Sequence, residues 1–242
     1  PPEGRELEIL TEVKDQLPPE MFTEIYANPV NNNPDDLRKN LREAVRLLKE
    51  AGYEIKGGKL VHTKTGQPLQ VEFLLNSPLF ERIVQPYAGN LKRLGIDATL
   101  RMVDSAQYTR RLDRFDYDIV VGNFAQSESP GNEQRDYWGS EAADREGSQN
   151  LIGIKDPAID KLIDKVIFAK DRDELVAATR ALDRALLWNE FVVPQWYSPH
   201  VRLAYWNRFG QPQTLPALTP GFMQVWWYDK EKAGHLGNVS GR

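Results

Sequence analysis

Between Leu69 and Val121 the apolar pattern changes period again and again, and this alternation restricts the fold more than any other feature of the 242-residue chain. Leu69, Val71 and Phe73 recur at every second position and run into a fully apolar end at Leu74 and Leu75, as a strand entering a covered sheet does. Ser77-Pro78 then opens a helical pattern with Phe80, Ile83, Val84, Tyr87, Leu91 and Leu94 on one face. Pro86 falls inside that pattern, so a kink or a break is expected there. Gly95 stops the helix, and Ile96, Ala98, Leu100 and Met102 alternate as a second strand. Asp104 and Gln107 pair as the cap of a short helix ending near 111–113, and residues 117–121 supply a third strand. Strand, helix, strand, helix, strand implies an α/β fold: an open mixed sheet, at least partly parallel, flanked by helices.

The flanks add to this frame. Asn33 can cap a helix whose first position suits Pro34 and whose positive end suits Asp35 and Asp36. Leu37, Leu41, Ala44, Val45 and Leu48 form its apolar stripe, and Gly52 ends it. Gly57-Gly58 is a hairpin turn between 53–56 and 59–62, and Gly66-Gln67-Pro68 is a second turn. Two strong helices lie further on. Asp156-Pro157 opens one with Ile159, Leu162, Ile163, Val166 and Ile167 inward; Asp171 and Glu174 box the other, with Leu175, Ala178, Leu182 and Leu186 inward. "FVVPQWYSPHVRLAYWNRFG" and "GFMQVWWYD" read as two or three β segments, the first confined to an edge or to short pieces by Pro194 and Pro199. Residues 1–34, with Pro18-Pro19 and "ANPVNNNP", read as an extended, hinge-side linker.

Several function classes drop out. Basic and acidic residues number 31 and 35 and are well mixed, with no basic block, so nucleic acid is not an expected partner. No apolar run approaches the roughly 18 residues a membrane helix needs. There is no cysteine, which removes disulfides, thiolate zinc sites and cysteine nucleophiles. His62, His200 and His235 share no metal-ligand spacing, and neither the phosphate-loop nor the dinucleotide fingerprint is present, so no metal and no cofactor is expected. Ser127 and Ser129 lack the elbow motif of a nucleophile, and no catalytic residue is assigned. The opening "PPEGRELEIL" reads as a processed or excised piece, so the missing signal peptide says nothing of the parent protein.

After the third strand the chain enters a loop that runs past Asn150, against a usual connection of about 4–6 residues. Loops this long are commonly functional, and ligands of open α/β sheets bind beyond the carboxyl ends of the strands. Gly122 lets a ligand approach the backbone. Asn123, Gln126, Ser127, Ser129, Asn132 and Gln134 donate and accept hydrogen bonds, while Phe124 and Trp138 offer apolar walls. Tyr137 and Trp138 equally suit a loop pinned to the core.

The succession "NLREAVRLLKEAGY", "LQVEFLL", "VQPYAGNLKRLGIDATLRMVDSAQYTRRLDRFDYDIVVGNF" and "SQNLIGIKDPAIDKLIDKVIFAKDRDELVAATRALDRALLWNEFVVPQWY" resembles the C-terminal lobe of the family 5 extracellular solute-binding proteins, the peptide receptors of ABC importers. "QSESPGNEQRDYWGS" with "VRLAYWNRFGQP" is similar to the YejA-like subgroup. The resemblance covers about 35–230. It implies a periplasmic-binding-protein type II-like lobe and a two-lobed, periplasmic, non-enzymatic receptor that delivers oligopeptides to a membrane permease. The N-terminal lobe would lie upstream, 35–220 would be the ligand-binding lobe, and 221–242 would return to the missing lobe, leaving Val225, Trp226, Trp227 and Tyr228 to expose apolar surface or pair elsewhere. In peptide-binding relatives an aspartate after the third strand holds the α-amino group; that position falls here on Gln126 or Ser127, with Glu128 the nearest acid. Asn150 matches a polar position that faces the cleft, and Trp196 and Tyr197 match aromatic positions of the late strand. The implied ligand set is therefore Asn123, Phe124, Gln126, Ser127, Glu128, Ser129, Trp138, Asn150 and Trp196. Three rivals stay open: a receptor of the same fold for a non-peptide solute, a hydrolase using Glu128 and Glu133, and a module presenting Trp226–Trp227 to a protein partner.

Overall fold

A computed structural model describes residues 1–127, 129–198, 200, 202–215 and 223–236. The chain divides into two compact units, Pro1–Val192 and Val193–Arg242.

The first unit begins with a helix, α1 (Gly4–Thr11), followed by 3-10 turns at Lys14–Gln16 and Pro19–Phe22. The extended linker read over 1–34 gives way here. Ile9, Leu10, Val13, Leu17 and Met21 recur at steps of one, three and four residues, a helical rhythm hidden among charges, and all five are buried. Residues 23–33 carry neither helix nor strand. Helix α2 (Pro34–Glu50) is capped as expected: the Asn33 side chain accepts from the N–H groups of Asp35 and Asp36 at 2.9 and 3.0 Å.

Strands β1 (Tyr53–Lys56) and β2 (Lys59–His62) form the antiparallel hairpin, with Gly57 and Gly58 both at positive φ, where glycine has no side chain to clash. Then come β3 (Gln70–Leu75), α3 (Pro78–Arg93), β4 (Asp97–Met102), α4 (Ser105–Asp113) and β5 (Ile119–Val120). The three strands lie in the order β4-β3-β5 and are parallel throughout, with Leu74 opposite both Arg101 and Val120. Antiparallel pairing in this unit is confined, among the described residues, to the hairpin and a bridge between Val61 and Pro68.

Phe73, Leu75 and Ala98 from the sheet pack against Val84 and Ala88 of α3. Helix α3 runs through Pro86 without the expected break. Pro86 is exposed and so is Arg82, whose carbonyl loses its partner, so water can take that bond. Gly95, at φ +83°, accepts a hydrogen bond from Leu60 N at 2.8 Å; a Cβ there would stand 2.7 Å from that nitrogen. The third strand is shorter than 117–121 because side chains take over its edges. Asp118 Oδ2 accepts the Glu72 N–H at 2.8 Å, and the Tyr117 hydroxyl donates to Leu151 O at 2.9 Å.

Three more helices complete the unit: α5 (Glu133–Trp138), α6 (Pro157–Ile167) and α7 (Arg172–Trp188). Asp156 and Asp171 cap the last two as the sequence indicates. Ile159, Leu162, Ile163 and Val166 of α6 meet Ala178, Ala181, Leu182 and Ala185 of α7, and α1 closes this core. Ion pairs Arg5–Glu174 (2.8 Å), Arg184–Glu6 (2.6 Å) and Lys165–Glu12 (2.7 Å) tie the N-terminal segment to α6 and α7.

In the second unit the β segments shrink to β6 (Phe209–Gly210) and β7 (Trp227–Tyr228), paired antiparallel, followed by a helix the sequence reading lacks, α8 (Lys230–His235), capped by Asp229. Trp226 packs on Tyr205, ring centroids 4.6 Å apart, while Trp227 and Tyr228 stay exposed. Pro199 and the "GF" of the last segment lie outside the described residues.

Candidate functional site

Because β3, β4 and β5 are parallel, their carboxyl ends share one edge of the sheet, and the long segment leaves from that edge after Val120. It is not a loop throughout: it contains α5 and a 3-10 turn at Ser140–Ala142. What remains irregular next to the strand is 121–127 and 129–132, and this is where the candidate site lies.

An aromatic cluster anchors it. The Phe124 ring sits 4.4 Å from Trp138 and 5.7 Å from Tyr137, centroid to centroid, and Phe124 is half-buried against the helical core. The Tyr137 hydroxyl donates to Ala125 O at 3.1 Å, pinning the backbone just before Gln126. Trp138 is 8% exposed and its indole N–H donates to Gln134 Oε1 at 3.0 Å. Trp138 is thus a core residue with its polar edge satisfied, which overturns its expected role as an open ligand wall. Gln134, expected as a contact group, is buried too, and its amide nitrogen donates to Gln126 Oε1 at 2.7 Å and to Glu133 Oε1 at 3.2 Å.

Glu133 also accepts the Gly131 N–H at 2.8 Å. Partial burial pushes its carboxyl up, but the N–H groups of Gly131 and Glu133 itself and the Gln134 amide outweigh this and hold it below the usual carboxylate range. Such a carboxylate stays ionised and is a poor general acid. Asp116 is engaged by Arg111 at 2.9 Å and Asp118 by the Glu72 N–H, so the acids before the loop have structural partners.

Asn150 does not face a cleft. It is fully buried; its amide donates to Gly139 O and Ile154 O, both at 3.0 Å, and its oxygen accepts from Ile154 N at 2.9 Å. The side chain is saturated by backbone and closes the loop from within, as a buried amide must. Sequence reasoning had a signal for this: an Asn between two loop glycines, Gly147 and Gly153, fits a turn as well as a site. The spacing of Gln134 and Trp138, one helical turn apart, is likewise the mark of a packed pair.

Asn123, Gln126, Ser127 and Ser129 remain exposed along the rim, with Ser127 Oγ accepting the Ser129 N–H at 3.2 Å. Glu128 lies outside the described residues. Trp196 belongs to the second unit and is exposed. Among the described residues, no three His, Cys, Asp or Glu side chains are placed to hold a metal ion, and no helix is long and apolar enough to cross a membrane.

Known proteins resemble this chain in sequence and in fold. The family of bacterial extracellular solute-binding proteins, family 5 Middle, matches residues 10–146, more than half of the chain. The "Probable peptide-binding protein YejA" of Agrobacterium fabrum is 56% identical over 229 residues, which is 95% of this chain and 37% of that protein. The chain thus spans little more than a third of the length of that relative. Among solved structures, the oligopeptide-binding protein AppA of Bacillus subtilis, in complex with a nonapeptide, superposes with a TM-score of 0.56 at 18% identity, over 78% of this chain and 38% of that one. A periplasmic oligopeptide-binding protein of Thermotoga maritima, bound to mannohexaose, gives 0.57 at 18% identity, over 80% and 39%. At that identity these two establish the fold alone, a periplasmic-binding-protein lobe of type II; the match over residues 10–146 places the chain in family 5 of the bacterial extracellular solute-binding proteins.

Proposed function

We propose that the chain is the C-terminal lobe of a two-lobed periplasmic receptor that captures oligopeptides and hands them to the permease of an ABC importer. One observation carries this reading. The exposed rim of Asn123, Gln126, Ser127 and Ser129 stands at the carboxyl edge of the sheet, and its Gln126 is held by buried Gln134, itself bonded to Trp138. A rim held that way meets a ligand without first being ordered, which is where affinity is otherwise lost. The N-terminal lobe would supply the other wall of the cleft, and residues 221–242 would reach back to it. Capture is then closure: a ligand touching both lobes favours the closed state by its differential affinity. The chain catalyses nothing in this scheme, since Glu133, Asp116 and Asp118 are engaged in structural contacts. The peptide-binding name of the Agrobacterium relative and the nonapeptide held by the Bacillus structure support the substrate class.

A second reading keeps the receptor and changes the solute, and the mannohexaose held by the Thermotoga protein favours it. Native mass spectrometry of the two-lobed receptor purified from cells separates the two. Peptide masses released on denaturation are expected; a glycan mass would replace the substrate and keep the receptor. Titration of the 242-residue chain alone with any peptide so found is expected to give a Kd of about 1 mM or weaker, against about 1 µM or tighter for both lobes. Tight binding by the single lobe would remove closure from the mechanism.

A further inference from the structure

The hydrogen bonds beneath the rim have a fixed polarity, and that polarity reaches the surface. An indole N–H only donates, so the side-chain oxygen of Gln134 faces Trp138, at 3.0 Å. An ionised carboxylate only accepts, and Glu133, held ionised by the Gly131 N–H, takes the other end of the same side chain at 3.2 Å. The two ends leave the buried Gln134 amide one orientation, with its nitrogen towards Gln126. Gln126 must therefore answer with its oxygen, at 2.7 Å. Turning Gln126 over would set donor against donor. Its two N–H bonds are left for whatever lies in front of it. Ser127 follows the same pattern: its Oγ accepts the Ser129 N–H, and its hydroxyl hydrogen remains to be given. Gln126 and Ser127 are both exposed. At Gln126 and Ser127 an acceptor is used internally and donors are left outward.

We propose that Gln126 and Ser127 select ligands by donating hydrogen bonds, so that the group seated on this loop is an oxygen acceptor, such as a peptide carbonyl, a carboxylate or a hydroxyl, and a free α-amino group is not required. This rests on the peptide-receptor reading above. An ammonium carries donors only. Placed on Gln126 it meets two more donors, while Gln126 Oε1 already takes the Gln134 amide and Glu133 Oε1 takes the Gly131 N–H and the same amide. An N-blocked peptide, or an internal stretch of a longer one, satisfies the same rim through a backbone carbonyl. Gln126 touches the ligand in this scheme, and Gln134 is a positioning residue that sets which end of Gln126 is shown.

The test uses the two-lobed receptor and an equimolar library of random pentapeptides, half with free amino termini and half N-acetylated. The bound fraction is weighed by mass spectrometry. The wild-type receptor is expected to retain acetylated and free peptides within about threefold of each other. Gln126→Glu, an exposed change that replaces the donor pair by acceptors, should shift the ratio at least tenfold towards free amines. Gln134→Met, which releases Gln126 to turn, should move it the same way by less. Tenfold or greater preference of the wild type for free amines overturns the proposal and leaves the peptide reading standing, as does an unchanged ratio in Gln126→Glu. If Glu128→Gln alone abolishes retention of free peptides, an amine clamp at Glu128 replaces the donor rim. Retention of no peptide from either half overturns the peptide reading and this inference with it.

Discussion

The sheet and the segment that leaves it are stabilised in opposite ways. From Gln70 to Val120 order comes from apolar side chains repeated at the period of each element, with Phe73, Leu75, Val84 and Ala98 meeting in one layer. In the described part of 121–150 the aromatic cluster of Phe124, Tyr137 and Trp138 is joined by single polar side chains that each have one arrangement: Gln134 between Trp138 and Gln126, Asn150 between Gly139 and Ile154, and the Tyr137 hydroxyl on Ala125. A periodic apolar layer tolerates exchange of one member for another of similar volume. A saturated amide does not, because each lost partner leaves a buried group unpaired.

The contrast predicts how each region breaks. The largest effect belongs to the apolar side. Leu162, 1% exposed between α6 and α7, should cost about 3 kcal/mol on Leu162→Ala, from lost burial plus the cavity left behind. In a unit of this size that lowers Tm by roughly 6–12 °C. Leu162→Met, which preserves volume, should cost under about 1.5 kcal/mol. Thermal unfolding followed by far-UV circular dichroism measures both. A Met variant as damaged as the Ala variant would mean that shape, not burial, governs that core.

The polar side should show the reverse tolerance. Asn150→Ala removes both donors and the acceptor that hold Gly139 and Ile154, and is expected to cost about 2–3 kcal/mol. Asn150→Asp, nearly identical in shape, should cost as much, because it exchanges the two N–H donors for acceptors facing carbonyl oxygens. Asn123→Ala, on the exposed rim, should lie within about 0.5 kcal/mol of wild type. A benign Asn150→Asp would show that the loop is held by its backbone turns instead.

The same contrast governs what the sequence discloses. Caps and periods are local, so Asn33, Asp104, Asp156 and Asp171 and the strand–helix alternation are readable from neighbours a few residues apart. Helix α1 escaped because its buried positions are diluted by charges whose partners, Glu174, Arg184 and Lys165, lie more than a hundred residues away. Of the candidate site the sequence discloses which residues lie on the surface less well than where the chain leaves the sheet. Where the chain leaves the sheet follows from strand order, and Asn123, Gln126, Ser127 and Ser129 do stand exposed there. Asn150 and Trp138 were misplaced because an amide or indole reads alike in a cleft and in a core. What separates the two is the partner across the loop, and a list of residue types does not contain it.

The smallest effect tests whether the polar network is electrostatic as well as geometric. Glu133 has its carboxyl held below the unfolded value, about 4.3, so its contribution to stability is present above that pH and is lost as pH falls through the folded value. Wild type should therefore lose stability on acidification more steeply than Glu133→Gln in the region just below pH 4.3, while the two run parallel above about pH 6. Glu43 and Glu174, each held down by hydrogen bonds from an arginine, Arg46 and Arg5, steepen the acid limb of both proteins equally and cancel in the difference. The alkaline limb supplies the control. Burial, with the neighbouring Tyr108 adding to it, pushes the Tyr117 phenol up from 10.0 to about 12. Its neutral form favours the fold below pH 10 and that advantage drains away between 10 and 12, so Tyr117→Phe should alter the alkaline limb and leave the acid one unchanged. If Glu133→Gln instead follows wild type through the acid range, the Gly131 and Gln134 contacts orient Glu133 without favouring its charge. Gln134 would then be turned by Trp138 alone, and the polarity shown at Gln126 would hang on a single indole N–H.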